Sequence, residues 1–191
     1  MLSMDYEAAL RALPRPLHPP EVGQAIMDAL GRRYQEQWND SSLFEFEQNE
    51  GRFVFDFATS SGLDRADRTV AAWALTPQHV APRDVNYQRN FPLPPSPTGQ
   101  TLDRGHLIPH LSGGTFGPNI FPQDRSLNRG WSPDGRRYRA LEREAASEPG
   151  RFYFGHLLYD DDADLPFAVE TGVLRGDVLH VERFMNRIAS D

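Results

Sequence analysis

The sequence predicts an α+β fold with an antiparallel sheet, and three observations predict it. Val22, Ile26, Leu30 and Tyr34 recur every four positions, which is the period of one helix face. Phe44 and Phe46, then Phe53 and Phe55, alternate with other residues on either side of Asn49-Glu50-Gly51, the pattern of a hairpin. Three strand candidates, 151–159, 167–174 and 177–184, close the chain in succession, the last two joined by Gly176-Asp177 as a turn.

Along the chain, residues 3–12 have modest helical character. A stronger helix covers 20–37, opened by Pro19 and Pro20, whose fixed φ suits a first turn. The Phe hairpin follows, then a strand over 69–75. Its aromatic pairs, like those at 152–154, are expected in the core. Residues 76–100 are rich in Pro and polar residues, end in FPLPPSPTGQ, and read as a loop or linker without a regular element. This stretch divides the chain into 1–95, helices and hairpin, and 96–191; the first part is read as either a separate region or part of the same domain. Strand-like residues near 101–108 precede the Gly-rich loop Ser112–Gly117. Pro122 is expected to open a short helix over 123–130. Ser132-Pro133-Asp134 reads as the capped start of a second helix, with Tyr138, Leu141 and Ala145 on one face, stopped by Pro149-Gly150.

The chain has 191 residues, enough for one domain, with or without an accessory region. Its 39% hydrophobic and 25% charged content fits a globular protein. No apolar run reaches the ~20 residues that span a bilayer, so no membrane partner is expected. The start, MLSMDYEAALRAL, lacks the basic and apolar blocks of a signal peptide. The expected location is therefore the cytoplasm, or delivery by a specialised secretion system. The absence of cysteine excludes disulfides, zinc-thiolate sites and cysteine nucleophiles. All 20 basic residues are Arg, so any phosphate contact made by a cation falls to Arg, which binds bidentately. The net charge of −7 argues against a protein that coats DNA. Between Thr101 and Arg143, however, seven Arg face four acids, which makes that segment +3 and leaves −10 for the rest. A locally basic segment in an acidic chain suits an enzyme that meets phosphate at one place; a merely solvated helix face would look the same.

The residues that could carry chemistry lie in DRGHLIPH (103–110), NIFPQDRSLNRGW (119–131) and YRALE (138–142). His106 is a natural general base near neutral pH. Arg104 offers a guanidinium beside it, and Gly105 would let the backbone approach a ligand. Asn and acidic side chains supply hard oxygen ligands of the kind Mg²⁺ takes, few in number and supplemented by water. A base, an Arg and one oxygen-ligated metal are what a phosphodiester hydrolase requires.

These stretches resemble the DNA/RNA non-specific endonucleases, whose pattern runs D-R-G-H, N-I-x-P-Q, L-N-x-G-x-W and L-E. The matching residues here are Asp103–His106, Asn119–Gln123, Leu127–Trp131 and Leu141-Glu142, in the same order. The compact spacing, with Gly113-Gly114 between the first two motifs, is similar to the shorter bacterial branch that includes many toxin domains. The resemblance covers roughly 100–186. It implies a ββα-metal (His-Me finger) nuclease core over 96–191, cleaving DNA, RNA or both, with Mg²⁺ or Mn²⁺ as cofactor. It implies His106 as general base, Asn128 as the one direct metal ligand, and Arg104 as the group that stabilises phosphate charge. Glu142 would act in catalysis by holding water of the metal's shell, with Asp103 supporting that water. Arg104, Arg125 and Arg129 would bind substrate, and Asn119 and Gln123 would pin the loop. A toxin-like chain would also meet an inhibitor or immunity protein. The chain departs from the pattern after Asn128: 14 positions separate it from Glu142, and Pro133 and Gly135 are expected to break the helix. Glu142 would then reach the site only if the insert loops out.

Other features invite function less strongly. His106 and His110 are four apart, but Pro109 opposes the helix that a zinc pair would use. Asp160–Asp164 lacks the glycine and closing Glu of a calcium loop and reads as a solvated turn. His18, His79, His156 and His180 are read as structural. The competing functional reading is a catalytically silent module on the same fold, binding nucleic acid or protein. A third gives the acidic N-terminal region an adaptor role.

Overall fold

The computed structural model describes residues 4–82, 85–96 and 99–187. It is an α+β fold with two antiparallel sheets. Helices α1 (Tyr6–Leu10) and α2 (Pro19–Gln37) come first, then strands β1 (Leu43–Gln48), β2 (Gly51–Asp56) and β3 (Arg68–Leu75). Helix α3 (Val85–Asn90) precedes the hairpin strands β4 (Leu102–His106) and β5 (Ile120–Asp124). Helices α4 (Arg125–Arg129) and α5 (Pro133–Ala145) follow, and strands β6 (Phe152–Leu158), β7 (Ala168–Arg175) and β8 (Val178–Met185) end the chain. The large sheet has the order β1-β2-β3-β6-β7-β8, so three of its strands come from each side of the 76–100 stretch.

The layers follow from the side-chain alternation of the strands. Tyr6 of α1 packs on Phe154 with ring centroids 5.2 Å apart, and Gly23 of α2 lies directly on Trp73. Those two residues face one side of the sheet. The next residue, Gly155, faces the other, where the Leu107 side chain occupies the space of its missing Cβ. Tyr138 of α5 meets Phe184 edge-on at 5.4 Å on that same side. The helices α1 and α2 therefore cover one face, and the β4–β5 hairpin with α5 covers the other. Buried polar groups tie the layers together. Tyr6 donates to Glu170 Oε2 at 2.5 Å, and His156 Nδ1 lies 3.2 Å from the same oxygen. Tyr34 donates to Asp56 and accepts from Arg68 Nε.

Three sequence expectations need correction. Pro122 does not open a helix; it lies in β5 opposite Arg104, where a proline's fixed φ and missing N–H are tolerated at a free strand edge. The helix begins at Arg125, with Asp124 as N-cap accepting from Leu127 N. The 76–100 stretch contains α3. Phe44, expected in the core, is 60% exposed, because β1 is the edge strand of the large sheet and has a neighbour on one side only. The Asp160–Asp164 run is a turn, with Asp160 and Asp161 paired to Arg187.

Candidate active site

The candidate site is built on β4, β5 and the two helices after them. Asn119 shapes the connection. Its Oδ1 accepts from Ile108 N at 2.7 Å, and its Nδ2 donates to Ile108 O and Thr115 O. It is wholly buried, and it folds the long 107–118 connection back onto the hairpin. Gly105 serves packing rather than a ligand: the Gln123 side chain fills the place of its Cβ, with Oε1 only 2.2 Å from that position. The expected backbone approach to a ligand at Gly105 is thus replaced by contact with the opposite strand.

The chain breaks between α4 and α5, not within α5. Gly130 caps α4, and Ser132 then accepts from Gly135 N as the N-cap of α5. Pro133 sits in the first turn, where its missing N–H is harmless, and the helix continues to Ala145. Gly135 lies inside that helix because it must: a Cβ there would stand 2.4 Å from Ser126 O. The close approach folds α5 back against α4, and Glu142 and Asn128 come to line the same cleft. The separation of 14 positions is absorbed by this turn without a looped-out insert.

The cleft has a volume of about 330 Å³. Arg104, His106, Asn128, Arg129 and Glu142 all line it. His110, Arg139 and Arg143 line it too and were not anticipated as site residues. Arg139 is three before Glu142 and four before Arg143 on α5, so the helical spacing of the expected second helix was the signal that could have found them. Arg139 Nε lies 3.3 Å from Glu142 Oε2. Arg125 is not among the lining residues; its guanidinium is turned to Asp103.

Asp103 organises the wall of the cleft. It accepts from Arg125 Nε at 2.9 Å on Oδ1, from Arg129 Nε at 2.6 Å on Oδ2, and from Asn128 Nδ2 at 3.2 Å on Oδ2. Burial by itself would raise its pKa, but hydrogen bonds from Arg129, Asn128 and Arg125 outweigh it and hold the carboxyl below its ordinary value. Asp103 in turn raises the pKa of Arg129. An ionised carboxylate only accepts, so the Asn128 amide nitrogen must face it. The Asn128 carbonyl oxygen is left over for another partner, which is the donor a hard cation prefers. His106 is buried at the end of β4, with its ring centroid 6.4 Å from that of Phe116. Behind it, the Tyr138 hydroxyl is 3.5 Å from the His106 carbonyl oxygen. Burial, together with Tyr153 and Glu142, keeps the Tyr138 phenol protonated far above neutral pH.

His106 and His110 share the cleft, but Pro109 is extended and a short 3-10 turn starts at His110, so the pair is not on one helix. Among the described residues no three His, Asp or Glu side chains gather as a metal-binding group. No helix of the described residues is long and apolar enough to cross a membrane. Compared with known proteins, the chain matches no family model and no curated sequence.

Proposed function

We propose that the protein is a metal-dependent endonuclease of the ββα-metal kind, hydrolysing phosphodiester bonds of DNA, RNA or both with little sequence preference. The observation that supports it best is one cleft lined by His106, Arg104, Asn128 and Glu142, with Asp103 turning the Asn128 carbonyl oxygen free. The strand pair followed by helices that carries these residues is also the order of parts such a core requires.

The donor set fits a Mg²⁺ or Mn²⁺ ion. Asn128 would hold it directly through its carbonyl oxygen, and Glu142 would hold it through water. When bound, such an ion neutralises phosphate charge and stabilises the departing oxygen. The chain's own residues do the rest. His106 takes the proton from the attacking water. Arg104, whose Nε donates to the Phe91 carbonyl at 2.5 Å, is held in orientation to meet the charge that builds on the phosphate. Arg129, Arg139 and Arg143 make the cleft wall attractive to a polyanion. Asp103 is a positioning residue, since both its oxygens are already used by Arg125, Arg129 and Asn128. The groups on the cleft wall recognise phosphate and sugar, which carry no base information.

Plasmid digestion tests the reading, run with and without EDTA and beside His106→Ala. The expected result is conversion of supercoiled DNA to nicked and linear forms. It should stop with chelator, return with Mg²⁺ or Mn²⁺, and be lost in the variant. Cleavage of neither plasmid nor RNA with either metal would favour the silent binding module instead.

A further inference from the structure

Trp131 stands where folding gives no reason for a tryptophan. It follows Gly130, whose φ of 71° closes α4, and its N–H donates to the Ser126 carbonyl at 2.9 Å. At this position after a helix, an apolar side chain commonly packs back on the residue whose carbonyl its N–H meets. Here that residue is Ser126, which offers no large apolar surface, and Trp131 is 61% exposed. The other two tryptophans, Trp73 and Trp38, belong to the core or pack against it.

The exposed ring is nevertheless held at the cleft. The Arg129 guanidinium carbon lies over it, 5.2 Å from the ring centroid. Arg129 lines the cleft and is itself fixed by Asp103, to which its Nε donates at 2.6 Å. Asp103, Arg129 and Trp131 thus form a chain of contacts that ends in an aromatic ring beside a cationic wall. One face of the indole meets the guanidinium, and the exposure of the residue leaves the rest of it open to solvent. Leu111, which lines the cleft from the β4–β5 connection, is 59% exposed and adds apolar surface. A bare polyanion would use the cations and neither apolar group. A nucleotide strand uses both kinds, with phosphate on Arg and a base on an aromatic face. In a duplex the bases stack on one another, so an unpaired base is the one that can reach the ring.

We infer that Trp131 is a stacking platform for an unpaired nucleobase beside the cleft, so that the protein takes single-stranded DNA or RNA in preference to duplex. The inference rests on the nuclease reading for the phosphodiester strand in the cleft. Every base has a π-face, so stacking adds a strand preference without a sequence preference. Binding to the full chain in EDTA tests it apart from cleavage. The probes are a deoxythymidine oligomer, its uridine counterpart, and the deoxythymidine oligomer annealed to its deoxyadenosine complement. Affinity is read by anisotropy of labelled probes, and contact by quenching of tryptophan fluorescence with unlabelled ones. The single strands should bind more tightly than the duplex and quench the fluorescence; comparing the two shows which sugar is preferred. Trp131→Ala should remove the quenching and weaken single-strand binding about tenfold, with duplex binding unchanged. Trp131→Phe should recover most of the affinity, and circular dichroism checks that both variants fold. Three outcomes overturn the proposal: no binding of either single strand, unchanged single-strand binding in Trp131→Ala, or an equal loss for single strand and duplex, which would make Trp131 only a support for Arg129. A chain that binds the oligomers through Trp131 but cuts nothing would reject the nuclease reading and leave the platform standing. A chain that cuts plasmid while Trp131→Ala binds single strands normally would do the reverse.

Discussion

At the scale of single residues, the proposed chemistry rests on two side chains and the carboxylate that orients one of them. His106→Ala should lower the cleavage rate by roughly 10²–10⁴, the usual worth of a general base, without altering the circular dichroism spectrum. Full activity in that variant would remove His106 from the mechanism. Asp103→Asn separates positioning from catalysis. The neutral amide no longer compels the Asn128 nitrogen to face it, so Mn²⁺ affinity should fall about 10–100-fold, as when second partners of ligands are removed elsewhere. Unchanged Mn²⁺ binding by calorimetry would mean that Asp103 does not set the ligand. The same substitution has a pH signature. The folded carboxyl is held below its ordinary value. Its contribution to stability is therefore complete above the unfolded pKa of about 4, and lost as pH falls through the lower folded value. Acid unfolding below about pH 4 should be steeper in the native protein than in Asp103→Asn, as followed by fluorescence. Gly105, by contrast, is a glycine for a reason that its neighbours in sequence do not show. Its small size is explained by Gln123 on the opposing strand, a partner 18 positions away that no local pattern indicates.

At the scale of elements, the turn between α4 and α5 decides whether Glu142 and Asn128 line one cleft. In an exposed helix, Gly→Ala would stabilise by about 1 kcal/mol. Gly135→Ala should do the reverse. Its Cβ would stand 2.4 Å from Ser126 O, so a loss of about 1–3 kcal/mol is expected from overpacking, seen as a lower midpoint in urea. Activity should fall by more than the loss of folded protein, because α5 moves away from α4. A stabilised, fully active variant would show that the close approach does not matter. Asn119 is the corresponding element-scale pin on the hairpin side. Replacing it with Ala abandons three hydrogen bonds, two of them buried, and should cost about 2–4 kcal/mol, measured by the same unfolding experiment. The capped start at Ser132 and the periodic face of Tyr138, Leu141 and Ala145 were legible in the sequence. The packing of Gly135 was not, since the Ser126 carbonyl that it meets belongs to the preceding helix.

At the scale of the whole molecule, charge is unevenly shared. The segment 101–143 carries +3 while the remainder carries −10, and Arg129, Arg139 and Arg143 of α4 and α5 line the cleft. Substrate capture should accordingly be sensitive to salt, with KM rising steeply between 50 and 200 mM NaCl and kcat changing little. A salt-independent KM would detach those Arg from substrate. If the chain is a toxin domain, as the motif resemblance implies, it makes a further demand, an inhibitor whose acidic surface would cover the same Arg. Expression of the chain alone in a bacterial cytoplasm should be toxic, and toxicity should vanish with His106→Ala. Harmless, abundant expression of a chain that is active once purified would reject the toxin reading and leave the nuclease reading standing.

The sequence by itself determined the α+β class, most of the elements and the motif residues, because helix and strand periods, caps and turns are local properties carried by neighbouring positions. The helix over 20–37, the Phe hairpin and the three closing strands all appear within a few residues of their expected bounds. Tertiary structure alone decided the rest. It set the join of β3 to β6 across the 76–100 stretch, the exposure of Phe44 at a sheet edge, the extended Pro122, and the turning of Arg125 from the cleft to Asp103. It also brought Glu142 to the cleft that Asn128 lines. Each of these depends on which distant backbone or charge occupies the adjacent space, and that is determined only when the layers pack.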